Sequence, residues 1–307
     1  MLTSSTLESR LSIQRPSPLQ PFTPDWPGAQ HLRLFIKRDD TLHSIISGNK
    51  WRKLSEQLLR CSSLPTHIVS FGGGYSNHLH ALGYLCGQLG ILFTAIVRGD
   101  YSQNLTPMLH DLQRWQSKVC YVSRIEYQQR NHPDYLHQLG QRYPDSIIIP
   151  EGGSNQTALH GVGQIIKELR TQTENIDAII APVASGATLA GLAQYCAIQP
   201  SFERTQVIGI AVLKGVDYLE SLVSNLLTHT LENWHIEHQY CGRGYAKADA
   251  EVLELCTQMH YQYDIPIEPV YSGKLFLAMK KKIAAGDFDP GSKLVLLHTG
   301  GLQGNRN

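Results

Sequence analysis

Long apolar runs are missing from this sequence. No stretch approaches the roughly 18 uninterrupted apolar residues of a membrane span, although hydrophobic residues make up 42% of the 307. Excess charge of either sign is missing too: 27 Lys and Arg stand against 26 Asp and Glu, net +1. No field is built to grip a phosphate backbone or an acidic lipid face. The six cysteines, Cys61, Cys86, Cys120, Cys196, Cys241 and Cys256, include no CxxC pair and no compact framework, so they read as reduced thiols. The start, MLTSSTLESRLSIQ, lacks a basic tip followed by an apolar segment, and cytoplasmic residence is the expectation. No period of 20 to 50 residues repeats, which argues against a solenoid. The composition is too apolar for a disordered chain. What remains is a soluble globular protein of about two domains, at roughly 150 residues each, with neither nucleic acid nor membrane as a partner.

Residues 15–28, RPSPLQPFTPDWPG, hold five prolines and predict an extended arm laid over a larger body. After it come short, β-branched apolar runs at 32–38, 67–72, 91–99, 118–123, 146–153, 177–183, 206–212 and 293–301. Each reads as a strand buried on both faces. Helical patterns at 49–60, 76–90, 157–170 and 187–197 lie between them. The alternation predicts an α/β fold with mainly parallel sheets covered on both sides. Ligands then belong beyond the carboxyl ends of the strands, where turns lead into helices.

Four segments carry chemistry. In Ser47-Gly48-Asn49-Lys50 a helix start puts Lys50 in the first turn, where a positive helix end lowers an amine's pKa and suits it to attack a carbonyl. A solvated helix lysine is the plain alternative. In SFGGGYSNHLHALG (70–83) three glycines precede Ser76, Asn77 and His78 at a helix start, a place for an anion or a ring hydroxyl. Asn77 stands where a dinucleotide fingerprint needs its third glycine. An ordinary capped turn is equally compatible. In IIAPVASGATLAGL (179–192) Ala184, Ser185, Gly186, Ala187 and Thr188 present successive N–H groups at a helix N-terminus, as a phosphate monoester requires; no GK[ST] follows, which excludes a P-loop. Tight helix-on-sheet packing would use the same small residues. EPVYSGKLF (268–276) and HTGG (298–301), read as late strands or turns, bring the hydroxyls of Tyr271, Ser272 and Thr299. No HExxH occurs, so no metal is expected, and MKKKIAAG (279–286) reads as a solvated helix face.

In this order, across nearly the whole chain, these segments resemble the pyridoxal-phosphate enzymes of the tryptophan-synthase-β fold group. They are most similar to the family of 1-aminocyclopropane-1-carboxylate deaminase and D-cysteine desulfhydrase. EGGSN (151–155), PVYSGK (269–274) and LHTGG (297–301) also look like family segments. The resemblance implies pyridoxal 5'-phosphate as cofactor, a Schiff-base lysine at Lys50, and a Ser76-Asn77-His78 turn holding the substrate carboxylate, with Asn77 also on the cofactor hydroxyl. It further implies a phosphate loop at Ala184–Thr188 and active-site tyrosines Tyr271 and Tyr245, the latter placed by its distance from Tyr271. It implies two three-layer domains: a larger one from 1–49 and 153–307 and a smaller inserted one from 50–152, with the site between them, in a homodimer. The sequence departs from the pattern at Tyr75, where Gln is usual, at Leu79-His80, where an Arg is common, and at Ala184 and Ala187, where glycines are usual.

Deaminases of the cyclopropane acid carry Glu after the PVY tyrosine and Leu before the final GG. This chain has Ser272 and Thr299 there, as desulfhydrases do. A hydroxyl beside the pyridine nitrogen makes a weaker electron sink than a carboxylate does. That suffices when Lys50 removes an α-proton and a thiolate leaves from Cβ, so the expected reaction is elimination from a small amino acid such as D-cysteine, giving pyruvate, ammonia and hydrogen sulfide. Cyclopropane ring opening is the alternative. A cofactor-binding protein with little turnover and a cofactor-free α/β protein are the others.

Overall fold

The computed structural model describes residues 3–306. Among the described residues ten strands form two sheets. The six-stranded one has the order β1 (Leu19–Phe22), β2 (Arg33–Arg38), β10 (Lys293–His298), β7 (Ala178–Val183), β8 (Gln206–Ala211), β9 (Trp234–Glu237). Only β1 runs antiparallel to its neighbour. The all-parallel four-stranded sheet has the order β5 (Lys118–Val122), β4 (Leu92–Arg98), β3 (His67–Gly73), β6 (Ser146–Ile149). Around them lie α1 (Ser4–Arg10), α2 (Asn49–Leu59), α3 (Asn77–Leu89), α4 (Pro107–Arg114), α5 (Arg124–Gln128), α6 (Pro133–Arg142), α7 (Gln156–Gln172), α8 (Ala187–Ala197), α9 (Tyr218–Ser224), α10 (Ala250–Tyr263) and α11 (Ser272–Ala285). The mixed α/β architecture with parallel sheets is as the alternation predicts.

The runs that read as doubly buried strands are so in the sheet centres, where every residue of β7 is buried. β5, at an edge, has none that is fully buried. The proline-rich arm supplies β1, which needs few ladder bonds as an edge strand. One choice is decided and one expectation needs correction. Of the strand or turn reading of residues 268–276, the structure shows a turn and the start of α11. The basic run 279–286 is helical but not a solvated face, because Met279, Lys282 and Ile283 are buried, with Lys282 salt-bridged to Glu237 and Asp287. In addition, Leu7 and Leu11 of the first segment pack into the core of the four-stranded sheet, together with Trp51, Leu54 and Leu58 of α2.

One helix determines where Lys50 points. α2 carries Arg52 on the side facing α7, with its guanidinium on Asp39 at 2.7 and 3.0 Å and on Glu168 at 2.6 and 2.8 Å. Lys37 joins Glu168 at 2.8 Å. Burial would raise the Glu168 carboxyl, but hydrogen bonds and charge from Arg52 and Lys37 outweigh it and hold it well below the usual range. A side chain on Gly161 of α7 would strike the Arg52 carbonyl, so the helices meet backbone to backbone. With Arg52 anchored there, Lys50 and Lys53, three residues apart, share a different face.

Candidate active site

The turns after β3, β6, β7 and β10 converge on the first turn of α2, which begins at Asn49. Gly48 has φ +61° and sits so close to the 299–300 peptide that a Cβ would lie 1.8 Å from the Thr299 carbonyl oxygen; only glycine fits. The Asn49 amide donates to Thr188 Oγ1 at 2.9 Å, and Lys50 Nζ donates to Asn49 Oδ1 at 2.7 Å. A chain of two side chains thus joins the Lys50 amine to the N-terminus of α8. Lys50 also lines one pocket with Ser47, Asn77 and Gly301. Burial lowers its pKa to about 8, partly opposed by Glu268, so neutral amine is accessible near physiological pH.

A second amine was not singled out from the sequence. Lys53 is buried, and burial followed by the nearby Lys50 charge pushes its pKa well down. Among the described residues its side-chain bonds are long ones, 3.4 Å, to the Gly152 carbonyl and Ser154 Oγ. Ser154 Oγ in turn donates to Ser185 Oγ at 2.6 Å. Ser185 belongs to the turn Ala184-Ser185-Gly186 that opens α8, with Gly186 at φ +83°. A Cβ on Gly152 would lie 2.8 Å from Ser185 Oγ, so the two turns close on each other. Among the described residues no carboxylate bonds Lys50 or Lys53. Two amines of lowered pKa, a helix N-terminus and two hydroxyls facing one another form a cradle suited to an anion. The spacing of Lys53 from Lys50 along α2 was the signal that could have revealed it.

The other expected residues fall into two groups. Ser76 caps α3, its Oγ accepting from the Leu79 N–H at 3.2 Å, and Asn77 follows as the first residue of α3. The Asn77 carboxamide lies against Gly301 and accepts a hydrogen bond from Gln303. His78 is buried, with Nε2 on Ser70 Oγ at 2.8 Å and Nδ1 unpartnered. Burial, then Lys50 and Lys53, bring it down to about 3, so it is a neutral imidazole. The hydroxyls of Tyr245 and Tyr271 are 2.7 Å apart, although Tyr245 keeps 45% of its surface exposed. Burial and the Tyr245 contact drive Tyr271 well above the usual phenol range. Thr299 is buried beside Gly48.

Ser272 does not stand alone. Its Oγ donates to Glu268 Oε1 at 3.0 Å and accepts from the Glu268 N–H at 2.9 Å. Glu268 also receives the N–H groups of Val270, Tyr271 and Ser272. This buried carboxylate caps α11 and shapes the turn that presents both Tyr271 and Ser272. Burial raises its pKa against those hydrogen bonds. Glu268 lies in the quoted segment EPVYSGK, four residues before the serine it holds, and its role was not read from the sequence.

Pyridoxal phosphate fits these residues. The Lys50 amine of lowered pKa would receive its aldehyde, and Lys53, Ser154, Ser185 and the α8 N-terminus would hold its phosphate. The chain matches the model of the family described as pyridoxal-phosphate dependent enzyme over residues 13–300. It is 27% identical over 281 residues to a Pyrococcus horikoshii protein with a provisional 1-aminocyclopropane-1-carboxylate deaminase name, covering 88% of this chain and 85% of that one. It is 27% identical over 299 residues to the bifunctional D-cysteine desulfhydrase/1-aminocyclopropane-1-carboxylate deaminase, mitochondrial, of Arabidopsis thaliana, covering 88% and 73%. The crystal structure of an ACC deaminase homologue superposes with a TM-score of 0.78 at 24% identity, covering 99% of this chain and 97% of that one. The fold is that of tryptophan synthase β-like, fold type II enzymes. With an amine of lowered pKa on one side, an anion cradle on the other and a family match over residues 13–300, the chain belongs to the pyridoxal-phosphate-dependent enzymes.

Proposed function

We propose that this enzyme is a lyase of the D-cysteine desulfhydrase kind, cleaving an α-amino acid at Cβ to pyruvate, ammonia and hydrogen sulfide. The observation that carries this is the Lys50 amine, buried, lowered to about 8 and tied through Asn49 to Thr188 at the anion cradle. Bound pyridoxal phosphate supplies the electron sink toward which the Cα–H bond electrons are drawn. Lys50 would hold the cofactor, and once the substrate is bound its neutral amine would take the Cα proton. Ser76, Asn77 and His78 orient the substrate carboxylate, Asn77 also reaching the ring hydroxyl. Lys53, Ser154 and the residues Ala184, Ser185, Gly186, Ala187 and Thr188 would hold the phosphate, while Ser272 and Thr299 would stand at the pyridine edge. Tyr245 and Tyr271 bound the leaving-group side. The split into 1–49 plus 153–307 and 50–152, a homodimer and cytoplasmic residence complete the reading.

A hydroxyl at position 272, with its proton engaged by Glu268, supports elimination over ring opening, since no second carboxylate faces the cofactor from that position. The linked hydroxyls of Tyr245 and Tyr271 support a second reading, deamination of 1-aminocyclopropane-1-carboxylate, in which a phenol delivers a proton to a ring carbon. Borohydride reduction followed by mass spectrometry is expected to fix a pyridoxyl group on Lys50 and nowhere in Lys50→Ala. D-Cysteine is then expected to yield sulfide and pyruvate above the Lys50→Ala control. Formation of 2-oxobutyrate from the cyclopropane acid without sulfide from cysteine would select the second reading.

A further inference from the structure

Tyr245 lies in the segment between β9 and α10, and burial does not place it. Of residues 242–247 only Gly244 is buried, while Tyr245 keeps nearly half its surface in solvent. The Arg243 guanidinium is spent locally, on Asp249 at 2.8 Å and on the Ala248 carbonyl at 3.1 Å. The backbone is bent on both sides of the tyrosine, with φ +112° at Gly244 and +54° at Ala246. A residue other than glycine keeps such a conformation only where its surroundings enforce it. Yet the Tyr245 hydroxyl meets that of Tyr271 at 2.7 Å, with the rings edge to face at 6.0 Å. An anchor from the body of the protein is required.

Lys274 is that anchor. It is the third residue of α11 and 1% exposed. Its Nζ donates to three main-chain carbonyls: Val212 at 2.9 Å, Cys241 at 2.9 Å and Gly244 at 2.7 Å. A neutral amine has only two N–H bonds to give, so three acceptors require the ammonium form. Among the described residues no carboxylate bonds it; oriented carbonyl dipoles stand in for a counter-charge, as they do around a bare cation. Val212 follows β8, and its N–H is bonded to the Val183 carbonyl at the end of β7. The ammonium therefore ties the 241–244 backbone to the larger sheet. Tyr271 stands immediately before α11, and Lys274 is one turn further on. The contacts close a ring that runs from Tyr271 through the first turn of α11 to the ammonium, then through the Gly244 carbonyl to Tyr245 and back across the paired hydroxyls.

We propose that Lys274 is a positioning residue of this enzyme: by gathering the Val212, Cys241 and Gly244 carbonyls it sets the Tyr245 phenol against Tyr271 on the leaving-group side. The proposal rests on the place given to the two tyrosines in the elimination reading. Lys274 bonds neither substrate nor cofactor, and its effect on the reaction passes wholly through Tyr245. Without the ammonium three carbonyls lose their donor, and the exposed segment is free to carry the phenol away from its partner.

The test is a double-mutant cycle on the holoenzyme with D-cysteine, or with the cyclopropane acid if that is the compound turned over. Tyr245→Phe and Lys274→Met are each expected to lower kcat about tenfold or more with KM nearly unmoved, while borohydride still traps the cofactor on Lys50. Adding Tyr245→Phe to Lys274→Met is expected to cost less than about twofold more, because the second change removes a phenol already displaced. Trypsin gives a readout apart from turnover. The bonds after Arg243 and Lys247 are expected to be cut about tenfold or more faster in Lys274→Met than in the wild-type holoenzyme. Losses that multiply in the double variant would overturn the proposal and leave Lys274 a purely structural cation. Cleavage of those two bonds in the wild-type holoenzyme as fast as in the denatured chain would overturn it as well, and that measurement needs no variant to fold. An unchanged kcat in Tyr245→Phe would instead overturn the place given to that phenol in the reaction; the tryptic rates still decide whether Lys274 holds the segment.

Discussion

Lys50 and Glu268 show how single side chains tune this site. An amine brought to about 8 reacts with an aldehyde only in its neutral form. Uptake of pyridoxal phosphate by the cofactor-free protein is therefore expected to accelerate as pH rises toward 8 and to level off above it, followed by absorbance in stopped flow. Glu268 raises the Lys50 pKa, so Glu268→Gln is expected to move that midpoint to lower pH. The same substitution leaves the N–H groups at the start of α11 with poorer acceptors, a cost of about 1–3 kcal/mol, to be read from the urea midpoint. The sequence made Lys50 legible because its helix start and its chemistry are local. Lys53 and Glu268 were passed over because what gives them a role comes from burial and from partners brought in by folding: Gly152 and Ser154 for one, the α11 turn for the other.

Among the elements, α2 is the one whose placement decides the chemistry, and two constraints fix it. Its first turn rests on the 299–300 peptide through Gly48, where any Cβ would penetrate the Thr299 carbonyl. Gly48→Ala is expected to abolish borohydride-trapped cofactor while circular dichroism keeps the helical signal. Its other side is pinned by Arg52 on Asp39 and Glu168. Glu168→Gln leaves two buried cations underpaired and is expected to cost about 3–5 kcal/mol in chemical denaturation. Because the folded-state pKa of Glu168 is depressed, its contribution is whole above the ordinary value of 4.5 and fades as pH falls from there through the folded value. The stability gap between wild type and Glu168→Gln should therefore narrow in acid. Of this network the sequence offered only scattered charges, since Lys37, Asp39, Arg52 and Glu168 meet from β2, the turn after it, α2 and α7.

At the scale of the whole molecule, the candidate site is built by turns from both sheets: β3 and β6 of the smaller, β7 and β10 of the larger. A ligand held by both sets of turns stabilises the folded state by mass action, about 4 kcal/mol at a thousandfold excess over its Kd. Stripping the cofactor is expected to lower the melting temperature by roughly 5–10 °C, read by calorimetry and reversed on adding it back. An unchanged melting curve would mean that the anion cradle holds nothing.

The strands and the turns that follow them were legible in the sequence, because apolar runs of strand length and glycine-rich strand-to-helix junctions are local patterns. Lys50, the Ser76–His78 turn and the Ala184–Thr188 turn could each be named from their neighbours in the chain. Tertiary structure alone decided that EPVYSGK is a turn entering a helix, that Met279, Lys282 and Ile283 of the basic run at 279–286 are buried, and that Arg306 reaches Asp111 from the far end of the chain. Burial and charge pairing depend on residues tens to hundreds of positions apart. A sequence states which groups exist, whereas folding decides which of them lose water together and which find a partner when they do.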